Sequence, residues 1–119
     1  MANEISFNIA LSASKGGAQV SGSVSGNADL AGSEMISSVQ TLATSAAAIS
    51  LGGCDAVQFL YLRNMDAAIA ITVGLDSPIT QVISVIQPGK SVLLSGTSTT
   101  LYAKSASGTP DLFVVCVET

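Results

Sequence analysis

Residues 84–96 read SVIQPGKSVLLSG and contain Gly89-Lys90-Ser91, the tripeptide that ends a phosphate-binding P-loop. How these residues are read decides the fold. A P-loop needs a first glycine five positions before Gly89, where this chain has Ser84. It also needs a helix after the lysine, so that the helix N-terminus and loop amides face phosphate. Here the lysine is followed by Ser91-Val92-Leu93-Leu94-Ser95-Gly96, too short an apolar run to start and finish a helix. The other reading is a turn between strands. Pro88 presets φ for the second turn position, and Gly89 accepts the positive φ of the third. That reading predicts extended chain on both sides of Pro88-Gly89 and no nucleotide cofactor.

Outward from this turn the periodicity stays close to two. Thr80–Ile86 precedes it. Before that, Ile69, Ile71, Val73 and Leu75 alternate with Ala70, Thr72 and Gly74 up to Asp76-Ser77-Pro78. Val57–Arg63, VQFLYLR, is a dense apolar run closed by Asn64-Met65-Asp66. Phe59 and Tyr61 share one face of that strand, and most of that face is expected in the core. On the other side of the turn come Ser91–Leu94, then Thr100–Ser105, then Ser107-Gly108-Thr109-Pro110 and a heavily apolar last strand over 111–118. Near the N-terminus Ile5, Phe7, Ile9 and Leu11 alternate with Ser6, Asn8, Ala10 and Ser12, the pattern of a strand with one buried face. Ser14-Lys15-Gly16-Gly17 supplies a turn, and Gln19–Ser25 alternates more weakly through Val20 and Val24. Gly26–Ser33 is loose, either a bend between strands or an extended arm. Met35–Leu42 is a further strand. Over Thr44–Ile49 a helical turn competes, with Ser45 as cap and alanines behind it, too short to stand alone. The sum is an all-β chain of eight or nine short strands with turns about every 8 to 12 residues, which predicts an antiparallel β-sandwich, jelly-roll-like. No fixed-period repeat points to a solenoid.

The 119 residues suit one domain overall, able to bury roughly two-thirds of its unfolded surface. Within it, residues 1–34 form a Gly/Ser-rich N-terminal strand or arm segment and 35–119 the sandwich body. Hydrophobic residues make up 48% of the chain but aromatics only 4%, with no tryptophan, so the core is built from Val, Ile, Leu and Ala. Charged residues are 10%, far below the usual quarter of about 25%. In their place stand 27 serines and threonines. So few charges do little to keep a free surface soluble and monomeric, which suggests that much of it ends against other protein.

The same composition excludes several classes of partner. Net charge is −4, and the four basic residues, Lys15, Arg63, Lys90 and Lys104, are scattered, so the clustered footprint that nucleic acid requires is missing. The N-terminal Met-Ala-Asn-Glu-Ile-Ser-Phe-Asn lacks the basic start and apolar stretch of a signal peptide. No apolar run approaches the 18 or so residues of a membrane helix, so no membrane partner is expected. The expected site of synthesis is the cytoplasm. Cys54 and Cys116 are expected as two free thiols rather than a disulfide. Two cysteines without any histidine make no metal site.

The order of the pieces is similar to that of a family of small phage virion proteins. The similarity runs over Ser12–Ser25, Ser38–Gly52, Phe59–Asp76, Ile86–Leu93 and Leu101–Ser105. In that family a strand ending in Arg-Asn-hydrophobic-Asp precedes an alternating strand ending in Gly-hydrophobic-Asp. Arg63-Asn64-Met65-Asp66 and Gly74-Leu75-Asp76 fit this description. Gln87-Pro88-Gly89-Lys90 departs from it, with lysine where acidic residues are frequent. The resemblance implies a structural protein of a tailed-phage particle, with small jelly-roll cement or decoration proteins of the capsid as the nearest analogues, and tail or fibre components behind them.

Chemistry finds little to work with. The absence of histidine removes the commonest general base and nucleophile activator. Asp55, Asp66, Asp76 and Asp111 all fall at predicted turns, where Asp more often bonds its own backbone than catalyses or holds calcium. A carbohydrate-binding module is the rival from the binding class; it would need two aromatics exposed side by side among Phe7, Phe59, Tyr61, Tyr102 and Phe113. Assembly accounts for more of the sequence, since interface cores are depleted of Lys and Glu. The candidate interface is Ile5, Phe7, Ile9 and Leu11, adding a strand to a partner's exposed edge. The same residues also fit the first strand of the sandwich, because pairing within and between chains looks alike in sequence. The expectation is a non-enzymatic virion protein made in the host cytoplasm, without cofactor or metal. Its expected partners are the major capsid protein, or another virion protein, and itself as a trimer or dimer.

Overall fold

The computed structural model describes residues 5–28, 35–51, 57–95 and 100–118. Among these residues there is no helix, and the strands pair antiparallel throughout. Contacts between Cα atoms divide the chain into two compact units, Met1–Ala31 and Gly32–Thr119. The first holds β1 (Ile5–Lys15) and β2 (Ala18–Ala28) as a two-stranded sheet. The second holds β3 (Met35–Thr41), β4 (Ala47–Ala48), β5 (Val57–Asn64), β6 (Ile71–Gly74), β7 (Val82–Ile86), β8 (Ser91–Ser95), β9 (Tyr102–Ser105) and β10 (Asp111–Glu118).

These eight strands form two four-stranded sheets, ordered β3-β10-β5-β8 and β4-β9-β6-β7. Pairing runs from the outside of the sequence inward: β3 with β10, β4 with β9, β5 with β8, β6 with β7. The body is therefore one long antiparallel hairpin centred on the β6–β7 connection. The further pairings of β10 with β5 and of β6 with β9 roll that hairpin into two sheets. Their inner faces meet in a single cluster. Leu60, Leu62, Leu112, Val114 and Cys116 come from one sheet; Ile71, Val73, Ile86 and Ala103 come from the other; Leu42, Ile49 and Leu101 join from positions flanking β3, β4 and β9. Each buried Val, Leu or Ile contributes roughly 1.5–3 kcal/mol, and no aromatic is needed. Cys116 packs there as a small apolar side chain. Cys54 and Asp55 lie outside the described residues.

The Pro88-Gly89 turn has the geometry its residues predict. Lys90 N–H donates to Gln87 O at 3.0 Å, and Gly89 sits at φ 72°. The residues after the lysine are strand β8, where a P-loop would place a helix. The helical turn that competes over residues 44–49 is replaced by β4, whose Ala47 and Ala48 pair with Ala103 and Tyr102. Strand pairing overrides alanine's helix propensity because a segment this short cannot pay its nucleation cost alone.

A second correction concerns β5. Its core face is Leu60, Leu62 and Asn64, while Phe59 and Tyr61 occupy the opposite face. Both faces of this strand are apolar, so period-two alternation fixes which residues go together but not which set points inward. Asn64 settles the matter. It is fully buried, donates through Nδ2 to Ile69 O (2.7 Å) and Ile86 O (3.0 Å), and accepts at Oδ1 from Asp66 N–H (2.9 Å). An amide with three partners is a tolerable core residue, because nothing polar on it is left unpaired.

Candidate assembly surfaces

The N-terminal sheet is a hairpin with a two-residue loop. Lys15 pairs with Ala18, and Gly16 and Gly17 sit at φ 59° and 85°, the positive pair of a type I′ turn that suits the right-handed strand twist. With both strands 11 residues long, the register sorts the side chains completely. One face carries Ile5, Phe7, Ile9, Leu11 and Ala13, joined across the strands by Val24 (opposite Ile9) and Val20 (opposite Ala13). The other carries Ser6, Asn8, Ser12 and Ser14 opposite Asn27, Ser25, Ser21 and Gln19. Lys15 is the single charged residue between positions 5 and 28.

The four residues expected at an interface do share this apolar face, but not equally. Ile5 is buried and Phe7 half-buried, its ring lying over Gly26. Ile9 and Leu11 are exposed at 45% and 75%, and with them Val24 at 54% and Val20 at 68%. Among the described residues β1 pairs with β2 alone and belongs to neither sheet of the sandwich, so the reading of Ile5–Leu11 as the first sandwich strand gives way. Val20 and Val24 were absent from the expected interface; the weak alternation of Gln19–Ser25 was their signal, diluted by glycines at Gly22 and Gly26.

A second apolar surface was not anticipated. It is the outer face of the β3-β10-β5-β8 sheet. The register sets Val39, Phe113 and Arg63 in one row, and Ser37, Val115, Tyr61 and Leu93 in the next. Met35 and Val117 pair in the row beyond. Met35 and Val39 are exposed at 63% and 57%, while Tyr61, Leu93, Phe113 and Val115 are half-buried. The signal was present in the sequence: VQFLYLR and LFVVCV are apolar at consecutive positions, as in strands covered on both faces. Tyr61 and Phe113 meet edge to face, with centroids 6.2 Å apart and planes at 78°. Perpendicular rings offer no common platform on which a sugar ring would stack.

The carboxylates close loops. Asp66 Oδ1 accepts from Ala68 N–H (2.7 Å) and Ile69 N–H (2.9 Å). Asp76 Oδ1 accepts from Thr80 N–H (2.8 Å) and Gln81 N–H (3.0 Å), while Thr80 Oγ1 donates to its Oδ2. These hydrogen bonds, that of the Thr80 hydroxyl foremost, hold the Asp76 carboxyl below the ordinary carboxylate range. Asp111 accepts from Thr41 Oγ1 at 2.8 Å across the β3–β10 pair. Among the described residues no helix is long and apolar enough to cross a membrane. Comparison of the chain with known protein families, with curated proteins and with solved structures finds no match.

Proposed function

We propose that this chain is a non-enzymatic structural protein of a tailed-phage particle, a cement or decoration subunit that stabilises the capsid through protein–protein contacts. The observation that carries the reading is the hairpin: two strands of 11 residues with one apolar face, exposed over Ile9, Leu11, Val20 and Val24. A two-stranded sheet is marginal in water by itself, and a contiguous apolar strip on a soluble domain marks an interaction site. The sandwich supplies a rigid body to carry it. Its rolled pairing order supports the jelly-roll reading, in which two Greek keys wrap into facing sheets. The motifs that resemble those of small virion proteins are loop-building ones here: Asn64 and Asp66 organise the loop after β5, and Asp76 the loop after β6.

The partners on this reading are the major capsid protein and further copies of the chain, in closed oligomers, dimers or trimers, that match capsid symmetry axes. Binding to the assembled particle and not to its unfolded components raises particle stability by mass action. The test is to mix the purified chain with undecorated capsids, pellet the capsids, and weigh what remains in solution by light scattering. The chain is expected to leave solution with the capsids, and Leu11→Ser with Val20→Ser to reduce that loss. A wild-type chain that stays wholly in solution overturns the capsid assignment and directs the same assay to tails and fibres.

A further inference from the structure

We infer that the open edge of β1 pairs antiparallel with the same edge of a second copy, across a two-fold axis at Ala10, joining two hairpins into one four-stranded sheet. The inference deepens the assembly reading and rests on it for its biological setting; its geometry rests on the hairpin alone. Lys15 and Ala18 flank a two-residue loop, so they form a hydrogen-bonded pair, and bonded and non-bonded pairs alternate from there along the ladder. The odd-numbered residues of β1, from Ile5 to Lys15, therefore direct their backbone groups to β2. Ser6, Asn8, Ala10, Ser12 and Ser14 turn theirs outward, and all five are exposed. Among the described residues no strand pairs with that edge. Sheets commonly guard an open edge with charge, proline or a bulge. β1 runs 11 residues with no proline and no shift of register, and its single charge is Lys15 at the tip.

The sequence of β1 is complementary to itself. Full antiparallel overlap of the strand with its copy sets Ala10 against Ala10 of the second copy, Asn8 against its Ser12 and Ser6 against its Ser14. These are the outward-facing residues, so each pair exchanges two backbone hydrogen bonds, about ten in all. Between them, on the apolar side, Ile9 meets Leu11 of the second copy and Leu11 meets its Ile9, both exposed in the single chain. These are non-hydrogen-bonded pairs, in which cross-strand side chains come closest. The two Lys15 side chains stand at opposite ends of the join, roughly 34 Å apart, so like charges do not meet. The β2 edge makes a poorer join. Full overlap there centres on Ser23 and sets Val24 against Gly22 and Val20 against Gly26 of the second copy, where there is no side chain to pack. Two strands alone are marginal in water, whereas four with one apolar face reach the size that holds independently. A two-fold perpendicular to the sheet also keeps matching faces together, so both apolar strips lie on one side, open to the capsid.

The test is sedimentation equilibrium of the full chain and four variants over a wide concentration range. Ala10→Pro and Ser23→Pro each remove one outward N–H from facing positions of the hairpin, the first on the β1 edge and the second on the β2 edge. Neither N–H serves the β1–β2 ladder, so the hairpin tolerates both, as open edges tolerate proline. Ala10→Lys and Ala10→Glu set like charges against each other at the two-fold. Wild type and Ser23→Pro are expected to dimerise equally, and Ala10→Pro to associate about tenfold more weakly or worse. Each charge variant alone should weaken the dimer about threefold, and equimolar mixing of the two should restore it, because opposite charges then face each other. A monomeric or trimeric wild type overturns the edge pairing. So does a Ser23→Pro chain weakened as much as Ala10→Pro, and so do charge variants that mixing fails to rescue. Capsid pelleting of the same samples separates the two claims: a monomeric wild type that pellets with capsids overturns the edge pairing alone, and a dimer that stays in solution overturns the cement assignment alone.

Discussion

Asn64 holds more of the body together than any apolar side chain of its size could. Its Nδ2 ties the loop before β6 to the end of β7, its Oδ1 takes the Asp66 amide, and its own N–H donates to Lys90 O at 2.9 Å. Truncation to alanine leaves the Ile69 and Ile86 carbonyls without this donor, at about 1–3 kcal/mol for each buried group stranded. Asn64→Ala is therefore expected to cost roughly 3 kcal/mol and to lower the thermal midpoint by roughly 10–20 °C, read by calorimetry. A drop of only a few degrees would mean that water replaces the amide. Asp76 acts in the neighbouring loop and is sensitive to pH. Its folded pKa lies below its ordinary value of 3.8, so the stabilisation is complete above that value and is lost as pH falls through the lower, folded one. Urea midpoints measured from pH 6 down to about pH 2 should fall less steeply for Asp76→Asn than for wild type; superimposable acid limbs would show that this loop contributes nothing. The glycine two residues earlier has a packing reason. A Cβ on Gly74 would run into the Ile79 side chain and come within 2.7 Å of Gln81 O, so the Gly-Leu-Asp pattern describes a loop folded back on its own strand.

At the level of elements, the hairpin and the sandwich differ in what holds them. The sandwich owns the entire core cluster, from Leu42 to Cys116, so residues 32–119 expressed alone should unfold cooperatively in urea. The peptide 5–28 has the turn and the register but nothing to cover its strip, and should show little strand signal in water by circular dichroism. A non-cooperative 32–119 fragment would place the hairpin inside the folding unit. The strands themselves were readable from alternation: Met35–Leu42, Val57–Arg63 and 111–118 match observed strands to within a residue at their ends, and Ile5–Leu11 lies on β1 but stops four residues short of Lys15. The Pro88-Gly89 turn was readable because two residues with fixed backbone preferences stand together. Less was readable where the deciding partner is distant in sequence. Ala47-Ala48 is a strand because β9 lies beside it, a fact no local propensity encodes. The inward face of β5 is chosen by Asn64 and its carbonyl partners at 69 and 86. Of the candidate interface, Ile9 and Leu11 were found, whereas Val20 and Val24 needed the cross-strand register and Met35 and Val39 the sheet order.

For the whole molecule, the low charge content and the exposed apolar residues of the hairpin and of the outer sheet face fit the proposed assembly role together. A chain with 4 basic and 8 acidic residues has little with which to build an ionic interface, and its net charge of −4 makes two copies repel weakly. Added salt shortens the Debye length from about 10 Å at 0.1 M to about 3 Å at 1 M, which removes that repulsion without touching apolar burial. Excluded salts such as sulfate strengthen the burial itself. The self-association proposed for this chain, if carried by apolar faces, should therefore hold, or tighten by up to about threefold, between 0.05 and 0.5 M sodium chloride, and tighten further in ammonium sulfate. Sedimentation equilibrium across that series reads the constant directly. An association that weakens about tenfold in sodium chloride would require attractive charge pairs at the contact. Arg63, which stands in the Val39–Phe113 row of the outer sheet face, and Lys15 at the hairpin tip would then be the first to exchange by mutation, because Leu11, Val20, Met35 and Val39 themselves give salt nothing to screen.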